Sequence, residues 1–193
     1  MNTSLPRREF LRVAAGAALL GSSCRLLAQT PTPTAATAPE SEEVARLKRQ
    51  LEAQRAGSIR LLIELYDKHG APLLDTIAAF TAAEWQARLE QRPFSGPRDL
   101  QAVKTGLWST LPPSFKFETL EDTPQRLRFR VTECPVAAEM KQRQVPPALG
   151  YALNCASDSG VAAGVNPQIK FSRTKTLMQG DECCDHCYEF AAT

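Results

Sequence analysis

The spacing of apolar residues changes once along this chain, and that change limits the folds open to it. From Ser41 to about Trp108, apolar residues recur every three or four positions, which predicts helices. After Pro112 and Pro113 they recur every second position, which predicts strands. Helices followed by strands are typical of an α+β domain.

Three helices are predicted before the spacing changes. Ser41 is a suitable N-cap because two acidic residues follow it, and Gly70 ends the first helix. The charged first half of this helix, residues 42–55, is predicted to be solvated. The second helix runs from Pro72 to about Gln91, and a short third helix covers residues 98–108.

Four antiparallel strands are predicted in the second half of the chain. The first two alternate apolar and polar residues on either side of a turn, which is the pattern of a β-hairpin. Two short helices are inserted between strands 2 and 3, the second of them ending near a Ser/Gly-rich loop at residues 155–160. The predicted strands are 115–120, 126–133, 168–177 and 184–190.

Residues 1–28 have the pattern of a twin-arginine export signal. Arg7 and Arg8 are followed by Phe-Leu and by Arg12, and the apolar stretch 13–20 is too short to span a membrane. We therefore predict a signal peptide, a twin-arginine translocase as partner during export, and a periplasmic or exported protein. The alternative is a basic amphipathic helix at the start of a cytosolic protein.

The signal can end in two ways. Cleavage after Ala28 would leave an acceptable small-residue site, whereas Cys24 could instead become the acylated N-terminus of a membrane-anchored lipoprotein. Residues 29–40 form a Pro/Thr/Ala linker, and residues 41–193 form one domain. A twin-arginine substrate folds before it crosses the membrane, so its cysteines are reduced while the fold forms.

The charge of the mature chain argues against a nucleic-acid partner. The whole chain has 23 basic and 21 acidic residues, and residues 1–28 hold four of the basic residues and one of the acidic ones. Removing them leaves 19 basic and 20 acidic residues, a net charge of −1. Nucleic-acid binders usually carry a strongly basic face, which this composition does not provide.

The cysteines are concentrated near the C-terminus. Cys183, Cys184 and Cys187 lie within five positions, next to His186. On a regular strand Cys184 and His186 share one face, while Cys183, Asp185 and Cys187 share the other. If the end of strand 2 lies beside the start of strand 4, then Cys134, Cys155 and Cys184 converge in one pocket.

Three interpretations of the cysteines remain open at this point. They form a reactive-thiol or metal site, they form disulfides such as Cys134–Cys155 that brace the inserted helices, or they are inert buried thiols. Asp158 and Asp181 add carboxylates near the cysteines, although both residues are also normal turn residues.

The segment from Ile169 to Asp185, IKFSRTKTLMQGDECCD, closely resembles the C-terminal signature of the L-2-amino-thiazoline-4-carboxylic acid hydrolase family. Glu133-Cys134-Pro135 and the Cys155–Asp158 block are similar to two further blocks of that family, so the resemblance covers about residues 60–190. His186 stands where the resemblance leads us to expect an aromatic residue, and Cys183 and Cys187 are additional. The residues that match are Cys134, Cys155, Asp158, Arg173, Asp181, Cys184 and Asp185.

The resemblance implies a hydrolase that opens 2-amino-thiazoline-4-carboxylate with water, giving a carbamoyl-cysteine. In this hypothesis Cys184 or Cys134 is the nucleophile, and Asp181 or Asp158 transfers the proton. Arg173 and Asp185 bind the substrate, with Arg173 on its carboxylate. A variant of the hypothesis has the cysteines hold a zinc ion whose bound water attacks.

A second hypothesis is an exported binding protein without catalytic activity. Its zinc ion or iron–sulfur cluster would be held by Cys134, Cys155, Cys184 and either His186 or Cys187. The spacing of these residues matches no standard zinc-finger or ferredoxin pattern.

Overall fold

The computed structural model describes residues 41–190. The predicted signal peptide, the linker and Cys24 lie outside the described residues.

Three helices precede the sheet, and local capping explains where they begin and end. The Ser41 side chain accepts a hydrogen bond from the backbone N–H of Val44, and the Asp99 carboxylate accepts two at the start of the third helix. Gly70 separates the first two helices with φ +64°, a conformation that favours glycine. The helices are α1 (Glu42–His69), α2 (Ala71–Gln91) and α3 (Leu100–Gly106), followed by a short 3₁₀ turn at Trp108–Thr110.

One antiparallel sheet of four strands confirms the predicted α+β class. Leu127 and Phe129 of the second strand and Tyr188 of the fourth point into the core, while the alternate residues are polar and more exposed. Along the sheet the strands lie in the order β1-β2-β4-β3. Their bounds are Lys116–Asp122 (β1), Arg126–Glu133 (β2), Ile169–Ser172 (β3) and Cys184–Phe190 (β4).

The insertion between β2 and β3 is more helical than predicted. Cys155 ends a wide π-type turn and Asp158 lies in the first turn of a helix, so the predicted loop at 155–160 is wrong. The inserted elements are α4 (Pro135–Gln142), α5 (Pro147–Gly150), the π turn Tyr151–Cys155 and α6 (Ser157–Val165).

Two glycines let this Ser/Gly-rich helix pack closely on α2. A Cβ atom on Gly160 would lie 1.9 Å from the carbonyl oxygen of Ala82, and one on Gly164 would lie 2.5 Å from that of Gln86. Helix α6 therefore packs directly on the backbone of α2, at a separation that only glycine allows.

The third strand is shorter than predicted because a side chain takes over its hydrogen bonds. Strand β3 ends at Ser172, and the Asp185 carboxylate then accepts hydrogen bonds from the backbone N–H groups of Thr174 and Lys175. The chain leaves the sheet at this point, which turns Arg173 away from the ladder.

The domain has two cores. The larger lies between the sheet and helices α2, α3 and α6, with Phe129, Tyr188 and Val165 among its fully buried residues. The smaller lies under α1 and includes Ile59 and Met178. Within residues 41–190, none of the helices combines the length and apolar character needed to cross a bilayer.

Candidate active site

A cavity of about 370 Å³ is lined by residues of β2, β4, α2, α4 and α6 and by the π turn. Its volume is in the range of small-molecule sites. Six residues selected from the sequence line it: Cys134, Cys155, Asp158, Arg173, Cys184 and His186.

The register of the sheet explains how distant cysteines meet. Val131 of β2 pairs with Cys184 of β4, so the end of β2 and the start of β4 are neighbours. Cys134 directly follows β2 and is the N-cap of α4, where its Sγ accepts a hydrogen bond from the backbone N–H of Ala137 at 3.5 Å. The three thiols of Cys134, Cys155 and Cys184 therefore line the same cavity.

Cys134 also borders a second depression of about 670 Å³, which we call the α4 groove and which is lined by α4 together with residues 144–147 and 177–180. Met178 borders both spaces. A Cβ atom on Gly150 would lie 2.7 Å from the Met178 sulfur, so the methionine side chain is closely packed at this boundary. Cys134 is accordingly accessible from two sides.

Thr176 connects the other two thiols, and the sequence reasoning missed it. Its Oγ1 lies 3.7 Å from Cys184 Sγ and 3.9 Å from Cys155 Sγ. Cys184 Sγ also accepts the backbone N–H of Leu177 at 3.2 Å. Thr176 belongs to the Thr-Lys-Thr part of the C-terminal signature, and this membership is the one sequence feature that could have identified it as a site residue.

Burial keeps the Cys155 and Cys184 thiols protonated. It raises the pKa of Cys155 to about 12, although the positive charge of Arg173 partly opposes the rise. It also raises the pKa of Cys184, against the opposing hydrogen bonds from Leu177 and Thr176. Both sulfurs are therefore thiols and not thiolates at neutral pH in the resting site.

A buried ion pair forms the polar end of the cavity. Arg173 Nη1 donates to Asp158 Oδ2 at 2.5 Å, and the two side chains are 3% and 19% exposed. Arg173 Nη2 donates to the backbone carbonyl of Cys155 at 3.1 Å, and the guanidinium lies over the rings of Tyr151 and Phe171. Burial lowers the pKa of Arg173, but Asp158, Tyr151 and Cys155 together outweigh this effect and raise the pKa above its ordinary value, so the guanidinium stays charged.

His186 belongs to the same network. Its Nε2 lies 3.1 Å from Arg173 Nη1 and 3.4 Å from Asp158 Oδ2. The ring stands edge-on to that of Trp108, with centroids 4.9 Å apart. Trp108 also lines the cavity, and sequence reasoning treated it only as an apolar helix residue.

The structure places Asp181 and Asp185 outside the cavity lining. Asp181 accepts the backbone N–H of Thr176 at 2.7 Å, and Asp185 binds the Thr174 hydroxyl as well as the backbone of that segment. In the structure both carboxylates brace the segment that carries Arg173 and Thr176, and their roles in catalysis and substrate binding remain predictions.

The remaining cysteine interpretations are also tested by the geometry. Cys134, Cys155, Cys183, Cys184 and Cys187 are all free in the structure, so among these five no disulfide braces the inserted helices. Cys187 alternates with the inward-facing residues of β4, and its β2 neighbour is the exposed Arg128.

The predicted ligand set for a metal receives no support from the geometry. Among residues 41–190, no group of three or more His, Cys, Asp and Glu side chains is arranged to hold a metal ion. This includes the proposed set of Cys134, Cys155, Cys184 and His186.

The sequence profile of the L-2-amino-thiazoline-4-carboxylic acid hydrolase family matches residues 64–188, which is more than half of the chain. The chain belongs to this family. The match contains every residue that lines the cavity, and membership of the family indicates a hydrolase-like function.

Two other comparisons add little. The phenol-responsive sensory domain of the transcription activator PoxR, solved with phenol, is similar to this chain with a TM-score of 0.49 and 15% sequence identity, over 69% of this chain and 73% of that chain. A similarity at this level supports no functional conclusion. No curated protein matches the chain.

Proposed function

We propose that this member of the thiazoline-carboxylate hydrolase family opens a small cyclic substrate such as 2-amino-thiazoline-4-carboxylate and releases a carbamoyl-cysteine. The observation that carries the proposal is the meeting of three free thiols with a buried Asp158–Arg173 pair in one cavity of small-molecule size. Ring opening by water needs an activated nucleophile, a proton donor and a polar binding wall, and the cavity offers candidates for all three.

Cys134 is the best placed nucleophile. The N-terminus of α4 directs the backbone N–H of Ala137 at its sulfur, an arrangement that stabilises negative charge. Cys134 also borders the α4 groove, which gives a substrate a route to the sulfur. Cys184 lines the same cavity and still carries its proton at neutral pH because burial raises its pKa, so we assign it as the proton donor.

The proposed reaction has two steps. The Cys134 sulfur, once its thiol proton has passed to solvent, bonds to the ring carbon between nitrogen and sulfur; the bond from that carbon to the ring sulfur breaks, and the departing sulfur takes the Cys184 proton. Sulfur departs rather than nitrogen because it is the weaker base. Water then adds its oxygen to the same carbon and the bond to Cys134 breaks; one water proton goes to the substrate nitrogen and the other returns to Cys184.

Matched cysteine variants test this proposal. Purified mature protein is incubated with 2-amino-thiazoline-4-carboxylate, and carbamoyl-cysteine is measured by mass spectrometry. The Cys134→Ser variant is expected to lose at least about a hundredfold in kcat, while Cys183→Ser, at a thiol outside the cavity, keeps wild-type activity. Wild-type protein without turnover, or a fully active Cys134→Ser variant, contradicts the proposal.

We also propose that residues 1–28 direct export through the twin-arginine route, as the Arg7-Arg8 pair and the short apolar stretch after it suggest. The full chain is expressed in a bacterium with this pathway, and the N-terminus of the exported protein is sequenced. We expect a start at Gln29 and loss of export when both arginines become lysine. A mature chain that begins at a lipid-modified Cys24 would change the predicted cleavage site but would still support the twin-arginine route. An unprocessed chain that stays in the cytosol contradicts the proposed export.

A further inference from the structure

Helix α1 carries a row of apolar side chains that the rest of residues 41–190 leaves exposed. The exposed members of this row are Val44, Leu47, Leu51 and Leu61. Leu47 is 50% exposed and Leu51 is 66% exposed. Aliphatic side chains that line up along one helix face form an apolar patch, and such a patch on a soluble protein marks an interaction site.

A different side of α1 holds the helix on its own domain. Ile59, Ile63 and Tyr66 pack into the smaller core, and Glu52 and Arg55 form ion pairs with residues of α4. The exposed residues precede these positions by one residue in successive turns, which places them about 100° farther round the helix. A second helix on the exposed row therefore leaves the contacts of α1 with its own domain in place.

The row has the spacing of a two-stranded coiled coil. Its positions follow one another in steps of three and four residues along the 28 residues of α1, which is the length of four heptads. Val44 takes an a position and Leu47 the next d position, and this choice favours a parallel pair of helices. The row, which we call the α1 stripe, continues with Leu51, Gln54, Ser58, Leu61 and Leu65. The two polar residues in its middle lower the expected affinity.

The charges beside the α1 stripe determine which direction of the partner helix is favoured. In a parallel pair each g residue faces the e residue of the next heptad on the other helix. These pairs would be Glu43 with the partner's Lys48, Gln50 with the partner's Arg55, and Glu64 with the partner's His69. An antiparallel pair aligned along the same stripe would instead place Glu43 against the partner's Glu64, where the two acids repel. The stripe is therefore complementary to a parallel copy of itself.

A lipid surface fits the same stripe less well. Residues 42–55 hold four basic and three acidic residues, a net charge of +1. Helices that lie on membranes are rich in Lys and Arg on their polar face and usually have aromatic residues on the apolar face, which α1 lacks at its exposed positions. The balance of charge favours a protein partner.

We infer that the protein is a homodimer in which two α1 helices pair in parallel along the α1 stripe. The inference is independent of the proposed reaction, because within residues 41–190 the stripe and the cavity lining share no residue.

Sedimentation equilibrium of purified mature protein tests the dimer. The Leu47→Glu, Leu51→Glu double variant is expected to raise the dimer dissociation constant at least about a hundredfold, since it places four charges in the seam. Leu120→Glu is the matched control, because Leu120 is also half exposed, at 51%, but lies on β1; it should dimerise as wild type does. A wild-type protein that is monomeric up to about 100 μM, or a double variant that still dimerises normally, overturns the inference.

A charge reversal tests the direction of the helices without changing the apolar seam. Glu43→Lys places like charges at both ends of the Glu43–Lys48 pairing in a parallel dimer, so the dissociation constant should rise about tenfold, and adding Lys48→Glu should reverse the effect. In an antiparallel dimer the new lysine would face the partner's Glu64, so the dimer would tighten. A tighter or unchanged dimer in Glu43→Lys therefore overturns the parallel arrangement.

Vesicles of phosphatidylglycerol and phosphatidylethanolamine test the other occupant. A protein that stays monomeric in solution and binds these vesicles, but loses the binding in the Leu47→Glu, Leu51→Glu variant, would assign the stripe to a membrane surface and overturn the inference. Circular dichroism checks that each variant is folded, which the exposure of the substituted side chains leads us to expect.

Discussion

Replacing Arg173 by methionine removes the positive half of a buried ion pair while keeping a long apolar side chain. Arg173 is 3% exposed and Asp158 is 19% exposed, with 2.5 Å between Nη1 and Oδ2. Breaking a buried pair from one side typically costs about 3–5 kcal/mol, because the remaining charge is left without compensation. We expect a loss of that size in the free energy of unfolding.

The assay is equilibrium unfolding in urea, followed by circular dichroism. Arg126→Met is the matched control, since Arg126 lies 2.6 Å from Glu189 but both side chains are about half exposed. An exposed pair contributes little, so the control is expected to unfold at nearly the wild-type urea concentration. The two pairs have similar distances, and the comparison isolates the effect of burial.

A second substitution checks the cause. In the Arg173→Met, Asp158→Leu double variant no charge remains uncompensated, so it is expected to recover part of the stability that Arg173→Met loses. If Arg173→Met is no less stable than Arg126→Met, or if the double variant shows no recovery, the account of the ion pair is refuted.

Three further predictions concern packing and protonation. Gly160→Ala should destabilise the domain by about 1–3 kcal/mol or more, because the new Cβ meets the Ala82 carbonyl. Gly57→Ala, which has open space around it in α1, should be neutral or slightly stabilising. Urea unfolding of the two variants compares their stabilities. Native Cys155 should react with iodoacetamide about a thousandfold more slowly at pH 7 than an ordinary thiol, because its pKa is about 12 instead of 9.0. Peptide mass spectrometry measures the rate of labelling, and labelling at the rate of an ordinary thiol would refute the raised pKa. Burial raises the pKa of Asp185, but hydrogen bonds from Thr174 and Lys175 outweigh burial and hold that pKa below 3.8. The ionised Asp185 therefore stabilises the fold above pH 3.8, and this contribution disappears as the pH falls through the lowered pKa. The Asp185→Asn variant should accordingly lose less stability than wild type between about pH 5 and pH 2.

Much of the fold could be predicted from spacing alone. The change from helical to alternating periodicity identified α1, α2 and all four strands, because amphipathic patterns report which face is buried. The same reasoning assigned Cys184 and His186 to one face of β4, and both are buried in the structure while Asp185 and Cys187 are less so. These are local properties, and local sequence determines them.

The details of the site depend on contacts that no local pattern encodes. Ser and Gly in the sequence indicate a loop, yet Asp158 lies in the first turn of α6, a helix that packs through Gly160 on the backbone of α2. Arg173 leaves the sheet because Asp185 replaces a strand as the partner of the following backbone. Thr176, which joins two thiols, has no distinguishing spacing at all.

Attack by Cys134 would leave a covalent bond between its sulfur and the substrate, which an early quench can trap. Enzyme and 2-amino-thiazoline-4-carboxylate are mixed, quenched with acid within the first turnovers and digested for mass spectrometry. We expect a substrate adduct on the peptide that contains Cys134 and unmodified peptides for Cys183 and Cys187. Turnover with an adduct on another residue, or with Cys134 unmodified at every quench time, would contradict it.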